Sequence, residues 1–469
     1  MSRQWLFILV GITLFLGGCS LAPEYTRPEA PVPHDWPQGT AYEAVREASG
    51  SAAAPALKWQ EFFAGQKLQT IIRTALNNNR DLRLAALNAE KVRALYGVQR
   101  AALFPSVDAA GSMSKERVPA DLSSTGKSVI SEKDSFSLGI TSWEIDFFGR
   151  IRSLKDQALQ EYLATEQARR SVQILLVSEV ANAYLTLAAD RETLQLARFT
   201  LESQEAAYTL IQHRYRVGLA NELDLRRAQA QVEAARGDLA RYTRLAAQDR
   251  NALDLLAGSP VPEDLLPAEL SSVTPPKDIS PGLSSEALLN RPDIMAAEHR
   301  LRGAYAFVGA ARAALFPRIS LTTTAGTASA ELSGLFSSGS ATWSFVPRIT
   351  IPIFDARTWA ALRVSKAQRE IVLTQYERTI QVAFREVADA LAVRGTVDEQ
   401  VSAQQSLVDA VAETYRLSNE RYTKGIDSYL SVLDAHRSLY SSEQGLISLR
   451  LAKLAGRVRL YAVLGGGGD

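Results

Sequence analysis

The sequence predicts an α+β membrane protein. Each chain is an internal tandem repeat, and three chains form a 12-stranded β-barrel continued by a long α-helical barrel. Three observations predict it. The first is a gapless repeat: Arg214-Tyr-Arg-Val-Gly218-Leu-Ala-Asn-Glu-Leu-Asp224 recurs as Arg421-Tyr-Thr-Lys-Gly425-Ile-Asp-Ser-Tyr-Leu-Ser431, an offset of 207 residues (425 − 218). The same offset carries Phe147 onto Phe354, Arg150 onto Arg357, Leu256 onto Val463 and Gly258 onto Gly465. The second is a proline-free helical pattern over residues 150–213, which would be about 95 Å long where an average globular helix has three turns. The third is two-residue alternation after each Leu-Phe-Pro segment.

The chain opens with Arg3 and an apolar run from Trp5 to Leu16, too short to span a bilayer stably and suited to a signal-peptide core. The run ends Leu16-Gly17-Gly18-Cys19-Ser20, and small residues ahead of a cysteine resemble the lipobox of bacterial lipoproteins. Residues 1–18 therefore read as a signal peptide and Cys19 as the lipidated first residue. Cys19 is the single cysteine, which excludes an internal disulfide framework. Several acyl chains anchor stably, since each buried methylene contributes about 0.8 kcal/mol. Ser20 stands where an aspartate would resemble an inner-membrane retention signal, which implies the outer membrane.

Residues 19–65 form a lipidated, proline-rich arm (Pro23, Pro28, Pro31, Pro33, Pro37, Pro55) expected to stay extended along the body. The first repeat, 66–258, begins with helical patterning from near Leu68 to Leu103. Arg100-Ala-Ala-Leu-Phe-Pro105 recurs as Arg312-Ala-Ala-Leu-Phe-Pro317 at an offset of 212 (312 − 100). The first copy therefore carries five extra residues before Phe147. Proline ends each helix and turns the chain extended.

β-hairpins are expected over 105–147 and 317–354. Phe136, Leu138 and Ile140 alternate with Ser137, Gly139 and Thr141. Ile319, Leu321, Thr323 and Ala325 share one face; Trp343, Phe345, Ile349, Ile351 and Ile353 alternate with Thr342, Ser344, Arg348 and Thr350. One apolar face at period two is the signature of membrane strands. Residues 118–134 and 330–340, polar and Ser/Gly-rich, read as loops. Pro347 suits only an edge or a bulge. No transmembrane helix is expected after Cys19.

Long helical hairpins follow over 150–258 and 357–464. Apolar or aromatic residues recur every seven places at Val180, Leu187, Leu194, Leu201, Tyr208 and Tyr215, then at Leu225, Val232, Leu239, Ala246 and Leu253. The second copy keeps Val432, Leu439, Leu446 and Leu460, broken by Lys453. Such a seam marks helices that supercoil against neighbours. A proline-rich connector, 259–283, joins the copies; the second repeat spans 284–464 and a glycine-rich, flexible tail 465–469.

Composition excludes more than it identifies. The net charge of +1 offers no basic surplus for nucleic acid. His34, His213, His299 and His436 lie in different elements without metal-ligand spacing. No phosphate loop or nucleophile motif occurs. The expectation is no catalytic or metal residue, no cofactor beyond the covalent lipid on Cys19, and no enzyme. Four strands cannot close a barrel, and an open edge in lipid is forbidden. Two chains would give eight strands around a filled interior; three give twelve and leave a channel.

In its motifs the chain resembles the TolC family of outer-membrane efflux proteins, in the OprM-like lipoprotein branch. The lipobox with Leu21-Ala-Pro-Glu-Tyr25 behind it, Asp146-Phe-Phe-Gly-Arg150, both Leu-Phe-Pro helix ends and the tip segments 214–224 and 421–434 carry the resemblance over nearly the whole mature chain. It implies a homotrimer anchored by lipid in the bacterial outer membrane and reaching into the periplasm. Its implied role is the gated exit duct of a tripartite multidrug efflux pump. The implied partners are a periplasmic adaptor (membrane fusion) protein and an inner-membrane pump of the resistance–nodulation–division type. Drugs and other amphiphiles are the implied cargo.

By the same resemblance the tips at Gly218 and Gly425 are where the adaptor docks, and glycine there permits the positive φ of a tight turn. Leu430 and Asp434, four apart and so on one helix face, match the pore-facing leucine and aspartate that constrict such ducts. Asp224 matches a further gate aspartate, but its repeat partner is Ser431 rather than an acid. Arg214, Tyr215, Arg421 and Tyr422 lie within three turns of these acids, placed to tie neighbouring hairpins together. A type I protein-secretion duct would share the tube. A structural coiled-coil lipoprotein would share the heptads without needing alternating strands.

Overall fold

The computed structural model describes residues 20–42, 57–279 and 284–466. The signal segment, the expected lipid site at Cys19 and the last three residues of the glycine tail lie outside them. Helices α1 (Trp59–Phe62), α2 (Gln66–Asn78) and α3 (Arg80–Ala101) precede strands β1 (Val107–Val118) and β2 (Val129–Ile145). The first long hairpin is α4 (Arg150–Arg216) with α5 (Glu222–Ala257). After several single 3-10 turns come α6 (Pro292–Ala313), β3 (Arg318–Ser329) and β4 (Ala341–Thr350), then the second hairpin, α7 (Ala356–Thr423) with α8 (Tyr429–Val463).

Three local expectations are corrected. The helix expected from Leu68 to Leu103 is broken at Asn79, which is extended (ψ 133°). Its Oδ1 accepts from the N–H groups of Asp81 and Leu82 at 2.9 and 3.0 Å, the N-cap bonding that starts a new helix. The first loop is shorter than 118–134, because Val129–Asp134 pairs with Met113–Val118. Polarity misled there: a cross-strand Lys115–Glu132 ion pair makes charged residues good strand partners. Ile351 and Ile353 fall beyond β4, outside the ladder.

Contacts divide the chain into two compact units. The first comprises Met1–Glu29, Asn88–Thr165 and Ala296–Tyr376. It contains the one antiparallel sheet, in the order β1-β2-β3-β4. Cross-strand partners share a face, and the register sorts the two faces by polarity. Ala109, Leu138, Ala325 and Trp343 lie on one row, with Val107, Ile140, Thr323 and Phe345 beside it. Asp108, Gly139, Thr324 and Ser344 occupy the other face, where Thr324 and Ser344 hydroxyls meet at 2.7 Å. A bulge between Ile140 and Trp143, with Ser142 at φ 55°, inserts one residue and returns Trp143 and Ile145 to the apolar side. Pro347 sits on β4, an edge strand of this sheet within one chain, where proline is tolerated.

In the same unit the extended arm lies on α6. Glu298, 5% exposed, accepts from Tyr25 Oη at 3.1 Å and from Arg27 at 3.1 and 2.7 Å, while Arg312 donates to the Leu21 carbonyl at 3.2 Å.

The second unit comprises Ala30–Leu87, Glu166–Met295 and Glu377–Asp469. Its core holds Phe62 stacked on Tyr461 with ring centres 4.0 Å apart, and the fully buried Val180, Leu187, Leu253 and Val387. Of the seam expected through Leu194, Leu201, Tyr208 and Tyr215, the first three are half-buried and Tyr208 packs on the cluster around Ile211. Within one chain the buried positions are Ala197, Gln204 and Ile211, still seven apart, while Tyr215 is exposed. By length and composition alone, α4 has a stretch apolar enough to cross a bilayer. Of that stretch 56% is buried inside the protein, so its apolarity serves the core.

The repeat also builds two equivalent end-to-end helix joints here. Asn79 Nδ2 donates to the Leu256 carbonyl at 3.0 Å, joining the end of α5 to the start of α3. At the repeat-equivalent place Arg291 Nη1 donates to the Val463 carbonyl at 2.6 Å, joining α8 to α6. Gly258 (φ 71°) and Gly465 (φ 83°) follow the two carbonyls in left-handed backbone; a Cβ on Gly258 would strike Asn78, whereas at Gly465 the backbone conformation alone favours glycine.

Candidate gate and docking site at the hairpin tips

Both tips close by one device. In the first, the N–H groups of Gly218 and Leu219 donate to the carbonyls of Tyr215 (3.1 Å) and Arg214 (2.8 Å). In the second, Gly425 and Ile426 donate to Tyr422 (3.0 Å) and Arg421 (2.9 Å). These paired bonds form a Schellman cap, and it requires a left-handed residue: Gly218 has φ 78° and Gly425 φ 73°. After the first turn Asn221 caps α5 by accepting from the Asp224 N–H at 2.8 Å.

A small core fastens the two tips within one chain. Ile211 and Ala228 of the first hairpin are buried with Tyr429, Val432 and Leu433 of the second, and Tyr208, Leu225, Tyr415 and Tyr422 pack against them. The Arg214 guanidinium lies 4.9 Å from the centre of the Tyr422 ring, a cation–π contact between hairpins. Burial, and after it the neighbouring Tyr422, Tyr415 and Asp224, push the Tyr429 hydroxyl up to about 12. Nearby, Gln204 meets His436 Nδ1 at 2.9 Å, and burial lowers the His436 pKa.

The structure places the sequence-derived residues unevenly. Arg214 and Tyr422 do join hairpins, whereas Arg421 turns to Asp427 across its own tip, at 2.6 and 3.0 Å. That hydrogen-bonded pair lowers the Asp427 pKa and raises that of Arg421. Asp224 lies 4.0 Å from Arg227 on its own helix, and Tyr215 is exposed. Leu430 is 41% exposed and Asp434 is exposed one turn on, so one chain leaves both on an open face of α8. Sequence reasoning missed Tyr429 and Asp427. Asp427 was detectable, since its repeat partner is Ala220, an acid set against a methyl.

The tips are also greasy. Val217, Leu219, Leu223 and Ile426 are each more than half exposed around the two glycines. Among the described residues no cluster of His, Cys, Asp or Glu has the form of a metal site.

Known proteins resemble this chain throughout. A family model described as "Outer membrane efflux protein" matches residues 71–259 and 283–466. The toluene efflux pump outer membrane protein TtgC of Pseudomonas putida is 50% identical over 461 residues, covering 98% of this chain and 95% of that protein. Outer membrane protein OprJ of Pseudomonas aeruginosa is 44% identical over 462 residues, with 98% and 95% covered. Among solved structures, a membrane protein from Pseudomonas aeruginosa superposes with a TM-score of 0.89 at 42% identity, covering 96% of this chain and 98% of that one. The open state of the Neisseria gonorrhoeae MtrE outer membrane channel gives 0.84 at 38% identity, with 96% and 99% covered.

Proposed function

Because the chain belongs to the outer membrane efflux protein family, an outer-membrane family of TolC-like channels, we propose that three copies assemble into the exit duct of a tripartite efflux pump. The observation that carries this reading is the sheet. Four strands with one apolar face end in two free edges, β1 and β4, within a single chain. In lipid those edges must be paired, and β4 of one copy meeting β1 of the next closes twelve strands with the Trp343 and Phe345 face outward. The Asp108, Ser112 and Ser344 face then lines a wet lumen.

Relatives named for toluene, solvent and antibiotic efflux favour small amphiphiles over proteins as cargo. The exposed apolar tips around Gly218 and Gly425 suit an adaptor that caps the duct, with an inner-membrane pump behind it. No chemical step is assigned to the chain: its role is passage. Leu430 and Asp434 are the proposed constriction, repeated three times around the axis. The test is export of a fluorescent dye by cells stripped of their own ducts but holding a compatible adaptor and pump. Restored export is expected; none, with trimers present in the membrane, overturns the reading.

A further inference from the structure

The two repeats solve the same joint with different residues. In the first copy Asn79, a neutral amide, reaches the Leu256 carbonyl through Nδ2 and spends its Oδ1 on capping its own helix. In the second, Arg291 stands at the equivalent position, bonds the Val463 carbonyl, and has guanidinium to spare. Nε and Nη2 hold the two Asp293 oxygens at 3.1 and 2.8 Å, and Nη2 also holds Glu386 Oε2 at 2.9 Å. Asp293 is on α6 but Glu386 is on the long helix α7, so one side chain ties three helices. The repeat equivalent of Glu386 is Glu179, which is exposed on α4. The acid is present in both copies; among the described residues, only the second has a cation that reaches it.

The tie bridges a gap. A cavity of about 690 Å³ opens beside it, lined by Ser178, Asn182, Arg291, Glu386, Val393 and Leu451. Side chains do not fill this side of α7, so the charged link takes the place of packing. The Arg291 side chain is 10% exposed, which weakens solvent screening of the link.

We propose that Arg291 is a positioning residue: a latch that fastens the root of the second long hairpin to the α6–α8 joint, making that root stiffer than the root of the first. The proposal does not rest on the duct reading, because it concerns local opening within one chain.

The test is native-state hydrogen exchange on the whole protein in detergent, comparing residues 383–391 of α7 with the repeat-equivalent 176–184 of α4. Arg291→Asn installs the residue that already serves the first joint, so a donor for Val463 remains. Protection of 383–391 should fall about tenfold towards that of 176–184, which should not change. Glu386→Gln keeps the Arg291–Val463 bond intact and should produce the same selective loss, and it decides the matter where Arg291→Asn does not assemble. Arg291→Lys, which keeps the charge, should restore part of the protection. Unchanged protection at 383–391 in Glu386→Gln, or an equal loss at both roots, would overturn the latch.

Discussion

At the scale of single residues, two side-chain groups respond to charge in testable ways. Asp249 lies on α5, and burial, then the Asp190 charge and their shared hydrogen bond, raise its pKa to about 7. A carboxyl whose folded pKa is raised holds its proton more tightly than the unfolded chain does. Its proton-linked stabilisation is complete below the ordinary carboxylate range and is lost as pH rises through about 7. Thermal melts at pH 5 and pH 8 should therefore converge in Asp249→Asn, which keeps the shape and cannot ionise. At the proposed gate, Leu430 and Asp434 share an open face of α8. Leu430→Ala with Asp434→Ala should raise single-trimer conductance in a planar bilayer and weaken cation selectivity, since three carboxylates near an axis favour cations. Conductance and selectivity equal to the parent's, in intact trimers, would remove these two residues from the gate.

At the scale of elements, the tips are tight turns on long helices. Neither tip glycine has any atom within 4 Å of where a Cβ would stand, so space is not what selects glycine there. The left-handed backbone is: a β-branched residue at that φ costs on the order of 1–3 kcal/mol. Gly218→Val and Gly425→Val should distort the tip locally while the tip core of Ile211, Tyr429 and Leu433 holds the hairpins together. Export should be lost while trimers still reach the membrane. Loss of the trimers together with export would mean that the turn is structural and not a docking surface.

At the scale of the whole molecule, one chain is visibly incomplete. Trp343 is 80% exposed and Met113 81%, on a sheet with two unpaired edges. Leu84, Leu87, Leu95 and Val98 of α3 are also each at least half exposed. Some of this surface suits lipid and the rest suits a neighbouring copy, and burying it in an assembly would make folding and assembly one event. Native mass spectrometry in detergent should show a three-chain complex and no folded monomer. A well-folded, conducting monomer would contradict this assembly.

What the sequence by itself determined is whatever is written in periods and repeats. The 207-residue offset, the seven-residue seam and the two-residue alternation are local, so they specify a doubled helix–hairpin–hairpin chain and identify its tips. Glycine at a left-handed turn is equally local, and both tips were legible for that reason. Tertiary structure decided what depends on partners distant in the chain. The joint at Asn79 depends on the Leu256 carbonyl 177 positions away, and the Arg291 tie on Val463 and Glu386. One local contact was missed as well: Arg421 takes Asp427, six positions on, rather than the gate acids, because the turn brings that carboxylate within 2.6 Å. Within one chain the most buried line runs through Gln204 and Ile211, beside the half-buried Leu201 and Tyr208. Heptad spacing gives the period of a seam, and only the neighbouring helix sets its phase.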